Sequence, residues 1–96
     1  MNWKLIVTRN LLKDLERRGI KSRIIRKLRQ LNLTLKKEPE KVINTLVREP
    51  VIFEIETFKV RRMRIGNYRL FYIVDHKRKY IIFFDIKPRK KAYQRR

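Results

Sequence analysis

The chain has 96 residues, 43% of them hydrophobic, and carries 28 Lys and Arg against 9 Asp and Glu, a formal net charge of +19. A chain this short encloses one modest core, so a single domain over residues 1–96 is expected, with residues 89–96 as a basic tail. The lack of cysteine excludes disulfide frameworks, thiolate nucleophiles and zinc ribbons, and no apolar run approaches the length of a membrane span.

Trp3 to Val7 forms a short apolar stretch that predicts an edge or central strand, with Thr8 or Asn10 as the N-cap of a following helix. Leu11, Leu12 and Leu15 share one face of that helix, and Gly19 ends it as a left-handed C-terminal glycine. Ser22 is the expected cap of a longer second helix, in which Ile24, Ile25, Leu28, Leu31 and Leu35 recur at helical spacing beneath Arg and Lys. Pro39 suits a first helical position, so Val42, Ile43, Leu46 and Val47 mark a further short amphipathic turn or two, closed by Pro50. From Val51 the residues turn β-branched and aromatic, with alternation at Val51, Phe53 and Ile55 and again from Val60 to Ile65. Gly66-Asn67 reads as a type II′ hairpin turn, and Asp75-His76-Lys77-Arg78 as a second polar break before Tyr80 to Ile86. The expected fold class is α+β: an N-terminal strand and two or three helices packed on an antiparallel sheet.

A two-residue turn at Gly66-Asn67 pairs Ile65 with Tyr68, Arg64 with Arg69, Met63 with Leu70 and Arg62 with Phe71. One face of the hairpin then carries Arg62, Arg64, Arg69 and Phe71, and the other carries Met63, Ile65, Tyr68, Leu70, Tyr72 and Val74 for the helices to cover. Arg64 opposite Arg69 is a repulsive cross-strand pair unless an anion lies between them. Guanidinium suits a phosphate there, because its planar fork donates bidentately and keeps its charge. Phe71 beside them would stack on a base. Exposed strand arginines also serve simply to cover apolar surface with their stems. Lys87, Arg89, Lys90, Lys91 and Tyr93 follow the last strand and can return over the arginine face. With the overall charge, this makes nucleic acid the expected partner and leaves no membrane role, since the cations are not gathered on one amphipathic helix. No secretion signal is apparent, which places the chain in the cytoplasm.

The run Arg62-Met63-Arg64-Ile65-Gly66-Asn67-Tyr68-Arg69 and the closing Arg89-Lys90-Lys91-Ala92-Tyr93 resemble motifs of the RelE/ParE toxin superfamily, and the likeness spans nearly the whole chain. The middle run is similar to the family's R-x-R-x-G-x-Y-R strand and turn, and the end to its R-R-x-x-Y signature. The resemblance implies a RelE-like fold with a curved antiparallel sheet and a type II toxin that cuts mRNA in the ribosomal A site, with rRNA contacts, and that an acidic antitoxin wraps. By position it implies Arg69 as the phosphate-gripping arginine, Arg62 and Arg64 as basic strand residues, Arg89 as the C-terminal arginine and Tyr93 as the active-site tyrosine. Lys87 matches a further basic position. Two departures stand out: the segment from Glu38 to Glu56 is long, and the family's Gly-His before the final arginine pair is here Lys87-Pro88.

Cleavage of RNA by its own 2′-hydroxyl needs proton removal, stabilisation of the charge at phosphorus and protonation of the leaving oxygen, and requires no metal or other cofactor. Arg62, Arg64, Arg69 and Arg89 answer the charge requirement but cannot act as ordinary bases, because guanidinium stays protonated. Tyr93 is the first choice for the base, since a cationic site favours its ionised form, and Lys87, Lys90 and Lys91 add RNA-binding charge. His76, in a turn far from Arg64 and Arg69, is not assigned a role, and the scattered carboxylates form no metal constellation. Two other readings use the same residues: a ParE-like toxin that inhibits gyrase, and a non-catalytic nucleic-acid-binding protein.

Overall fold

The computed structural model describes residues 2–89. In chain order these form β1 (Lys4–Val7), α1 (Arg9–Arg18), α2 (Lys21–Lys37), α3 (Pro39–Leu46), β2 (Val51–Ile55), β3 (Phe58–Ile65), β4 (Tyr68–Asp75) and β5 (Tyr80–Pro88). The strands make one sheet in the order β1-β5-β4-β3-β2. β2 to β5 run antiparallel to their neighbours, and β1 joins the far edge parallel to β5, so the sheet is mixed.

The helix boundaries follow local chemistry. Thr8 caps α1, its hydroxyl accepting from the Leu11 amide at 3.3 Å, and Gly19 closes it at φ 73°. Ser22 is not a cap. Only Gly19 and Ile20 separate α1 from α2, so α2 opens at Lys21 with Ile20 in the cap position and no side-chain cap bond, and Ser22 lies inside the first turn. Pro39 begins α3, as its fixed φ and missing donor favour. The long Glu38 to Glu56 stretch is therefore filled by α3 and β2.

One core lies between the helices and a single face of the sheet. Leu11 and Leu15 of α1, Ile24, Leu28 and Leu35 of α2 and Val42, Ile43 and Leu46 of α3 pack on Ile65, Leu70, Tyr72, Ile81, Phe83 and Ile86. Met63, Tyr68 and Val74 pack against it partly buried, so the apolar side of the arginine hairpin does face the helices. Tyr72 anchors sheet to helix: its hydroxyl donates to the Leu46 carbonyl at 2.7 Å. No helix is long and apolar enough to cross a membrane among the described residues.

β2 reaches only part of its neighbour. Val51 pairs with Arg61, so among the described residues β3 continues from Arg62 to Ile65 with β4 as its one strand neighbour. Gly66 takes φ 59° while Asn67 stays outside the left-handed region, the combination expected of the type II′ turn. At the other end of β4, Asp75 Oδ1 accepts from the Lys77 and Arg78 amides, both at 3.1 Å, and closes the second turn. His76 in that turn is exposed and meets the Trp3 ring edge-on at 5.8 Å.

Candidate nucleic-acid interface

The helix-free face of the sheet gathers cations because of strand register. Arg64 pairs with Arg69, and Arg69 pairs with Lys87, so three basic residues stand side by side on β3, β4 and β5. At about 4.8 Å between strands this row spans roughly 10 Å, a length suited to the oxygens of one phosphate and its neighbour. The next row holds Arg62, Phe71 and Asp85. Arg64, Lys87 and Arg89 are exposed, and Arg62 and Arg69 are half-buried.

A β-bulge makes this row. From Tyr80 to Phe83, β5 pairs with β4 in one register, and between Phe71 and Tyr72 the register shifts by the extra residue Phe84. Continuing the first register would turn Asp85 toward the core and Lys87 away from Arg69. With the bulge, Ile86 faces the helices, and Asp85 and Lys87 join the arginines.

Arg69 is the electrostatic centre. Its pKa is lowered, first by loss of solvent and then by the like charges of Arg62, Arg64 and Arg89. The guanidinium stays protonated, held among the like charges of Arg62, Arg64 and Arg89, a setting that an anion would relieve. Arg89 is held near by the backbone: its amide donates to the Asn67 carbonyl at 2.6 Å, carrying the chain past β5 along the hairpin turn.

Asp85 is the group that the sequence did not single out. Its carboxylate lies 3.6 Å from Lys87 Nζ and its Oδ1 accepts from the Ile86 amide at 2.8 Å. The only signal for it was a lone acid among cations on the last strand, and its facing depends on the bulge. Phe71 is 9% exposed and sits under its neighbours, which leaves little ring surface for a base to stack on. Arg23 of α2 was also not anticipated. Its guanidinium carbon lies 5.8 Å from the centre of the Tyr68 ring, so a helix cation reaches the hairpin from the other side. Tyr93, Lys90 and Lys91 lie outside the described residues. Among the described residues no three His, Cys, Asp or Glu side chains gather to hold a metal ion.

Comparison with known proteins bears on this face. The profile of a family described as "ParE toxin of type II toxin-antitoxin system, parDE" matches residues 5–93. A solved structure titled "Crystal structure of archaeal RelE-RelB complex from Pyrococcus horikoshii OT3" superposes with a TM-score of 0.63 at 24% sequence identity, covering 96% of this chain and 100% of that one. No curated protein matches the chain. The helices on a mixed five-stranded sheet are thus the RelE fold, and the family profile extends over nearly all of the sequence. The chain therefore belongs to the ParE toxin family of type II toxin-antitoxin systems, within the RelE/ParE superfamily, and has the RelE fold.

Proposed function

We propose that this toxin is a ribosome-dependent endoribonuclease that cleaves mRNA in the A site by activating the RNA 2′-hydroxyl. The observation that supports this most directly is the register that puts Arg64, Arg69 and Lys87 in one row, with Arg62 beside them and Arg89 returned to Arg69 by its backbone bond to Asn67. Such a row meets the main electrostatic demand of phosphodiester cleavage, which is to stabilise charge that grows on the phosphoryl oxygens. Arg69 carries the largest share because it is the middle member of the row, paired with Arg64 on one side and Lys87 on the other. Asp85 lies beside Lys87, its carboxylate 3.6 Å from the ammonium, and places one acid at the margin of the row.

In this mechanism Tyr93 takes the 2′-hydroxyl proton, and Lys90 and Lys91 hold the RNA backbone from the tail. No metal or other cofactor enters. The setting is the cytoplasm, the substrate is mRNA on the ribosome with rRNA contacts, and one domain spans residues 1–96. An acidic antitoxin neutralises the site. The solved RelE-RelB pair and the family description both support such a partner.

A second reading has a specific observation behind it, because the matching family profile is that of ParE toxins. A gyrase-inhibiting toxin would use the same cationic face against a protein–DNA complex and cut no RNA. Translation of a defined mRNA with mapping of 5′ ends decides between them. Ribosome-dependent cuts that fall about 100- to 1,000-fold in rate with Arg69→Ala are expected, the usual cost of one charge-stabilising donor. Intact mRNA together with inhibited supercoiling by gyrase would establish the ParE-type activity instead.

A further inference from the structure

β2 is an edge strand without the usual protection. Among the described residues β3 is its one strand neighbour, and four of its five side chains are exposed large apolar groups: Val51 (42%), Ile52 (36%), Phe53 (48%) and Ile55 (46%). Proteins generally blunt such an edge with charge, most often Lys. Here the reverse holds. Glu49 to Phe58 is a run of ten residues without Lys or Arg, the longest in the chain, although 28 cations in 96 residues would place about three in a stretch of that length. The run also holds three of the nine acids, Glu49, Glu54 and Glu56.

This local charge selects the occupant. RNA or an acidic protein is repelled by the three glutamates and drawn instead to the arginine row. A second copy of this chain fits better. Two chains of +19 meet at least electrostatic cost where neither carries cations, and the apolar side chains of one β2 match those of the other.

Backbone geometry sets the register. Ile55 and Phe58 flank the two-residue turn Glu56-Thr57, and Phe53 pairs with Val60, so the amides and carbonyls of Phe53 and Ile55 bond inward and those of Glu54 point out. An antiparallel copy that bonds to Glu54 is centred either on Glu54, with like charges opposed, or on Phe53, with Glu54 opposite Ile52 and Val51 opposite Ile55. The second register overlaps all five residues of β2.

We propose that two copies of this chain join antiparallel along β2, with Phe53 at the two-fold axis, into one continuous ten-stranded sheet. Phe53 and Ile55 pair with Val60 and Phe58, which share the face of Arg62 and Arg64. Opposed residues of the two copies share a face as well, so the dimer presents both arginine rows on one side and all its helices on the other. The two β3 strands lie three strand spacings apart, roughly 14 Å. The bulge at Ile52 bends the edge and keeps the pairing short. With less than about 1,200 Å² buried, the dimer is weak, with a Kd between about 10 μM and 1 mM.

Sedimentation of the nucleic-acid-free full chain should show this dimer. Raising salt from about 0.1 to 0.5 M should tighten it by about threefold or more, because screening relieves repulsion between the copies, whereas association bridged by a polyanion loosens. Phe53→Lys should weaken it at least about tenfold. A second variant does not depend on how Phe53→Lys folds. The chain has no cysteine, and residues facing each other without backbone bonds stand about 4.5 Å apart at Cα, within disulfide range. Phe53→Cys should therefore form a linked dimer at least about tenfold faster than Leu33→Cys, which is 62% exposed on α2. Equal rates of linkage, a monomer at 1 mM or more, or association that dissolves in salt would each overturn the proposal. So would a monomeric chain whose Glu54 amide is protected from exchange only by added RNA or by another protein, which would assign β2 to that occupant. None of these readouts uses RNA cleavage, so they stand whether or not the chain is an endoribonuclease.

Discussion

Tyr72 and Asp75 are the polar side chains whose burial matters most to the fold. The Tyr72 ring is fully buried, and its hydroxyl donates to the Leu46 carbonyl at the end of α3. Loss of solvent, followed by the charge of Glu49, raises its pKa, so the phenol remains a donor at any physiological pH. Tyr72→Phe leaves that carbonyl without its donor and should cost about 1–3 kcal/mol. Thermal unfolding should show it as a fall in Tm of roughly 5–10 °C. Asp75 is 4% exposed, with Arg78 Nη1 3.0 Å from its Oδ2. Its pKa is lowered chiefly by the Arg78 amide, against the opposing effect of burial, and further by the Arg78 guanidinium and the Lys77 amide. A carboxyl whose folded pKa lies below its unfolded value adds stability above about pH 4, and loses it as pH falls through the lower folded value. The slope of Tm against pH below about 4 should therefore flatten in Asp75→Asn, as scanning calorimetry over that range would measure.

At the scale of elements, the hairpin turn and the β5 bulge place the site. Gly66 holds φ 59°, where an L side chain is strained, and an added Cβ would also meet Arg23 Nη2 at 3.0 Å. The arginine tip is flexible and can withdraw, so backbone strain sets the cost. Gly66→Ala should destabilise the chain by about 1 kcal/mol or more, readable in urea unfolding as a lower midpoint at unchanged slope. It should also loosen the Arg64–Arg69 register and so, under the proposed endoribonuclease activity, slow cleavage. The bulge at Phe84 acts without any special residue. One extra position turns Ile86 inward and Asp85 and Lys87 outward, and so assigns β5's last residues to core and to site.

For the molecule as a whole, the dominant quantity is +19 of formal charge, with the helices on one face of the sheet and the arginine row on the other. Charge on this scale attracts any polyanion, so affinity alone says little about the site. Its salt dependence says more. For single-stranded RNA the slope of log K against log salt should shrink by about 0.7 for each phosphate contact removed. Anisotropy titrations should show that reduction for Arg64→Ala and for Lys87→Ala, and none for Lys77→Ala in the turn at the opposite end of β4.

The sequence by itself determined what depends on local chemistry and on period. Thr8, Gly19 and Pro39 bound helices because capping, left-handed and N-terminal positions each select a residue type. Gly66-Asn67 fixed the β3–β4 register, and with it the shared face of Arg62, Arg64 and Arg69. The motif around that turn was specific enough to point to the superfamily. Tertiary structure decided what depends on distant partners. Parallel pairing of β1 with β5 joins the first and last strands of the described chain, and no local signal in residues 4–7 specifies it. The burial of Phe71, the early end of β2 and the reach of Arg23 to Tyr68 arise from neighbours far away in the chain. The bulge is the clearest instance. Alternation predicts faces only while the register is unbroken, and a single unpaired residue reverses every facing beyond it, so Asp85 and Lys87 could be placed only once β5 was seen against β4.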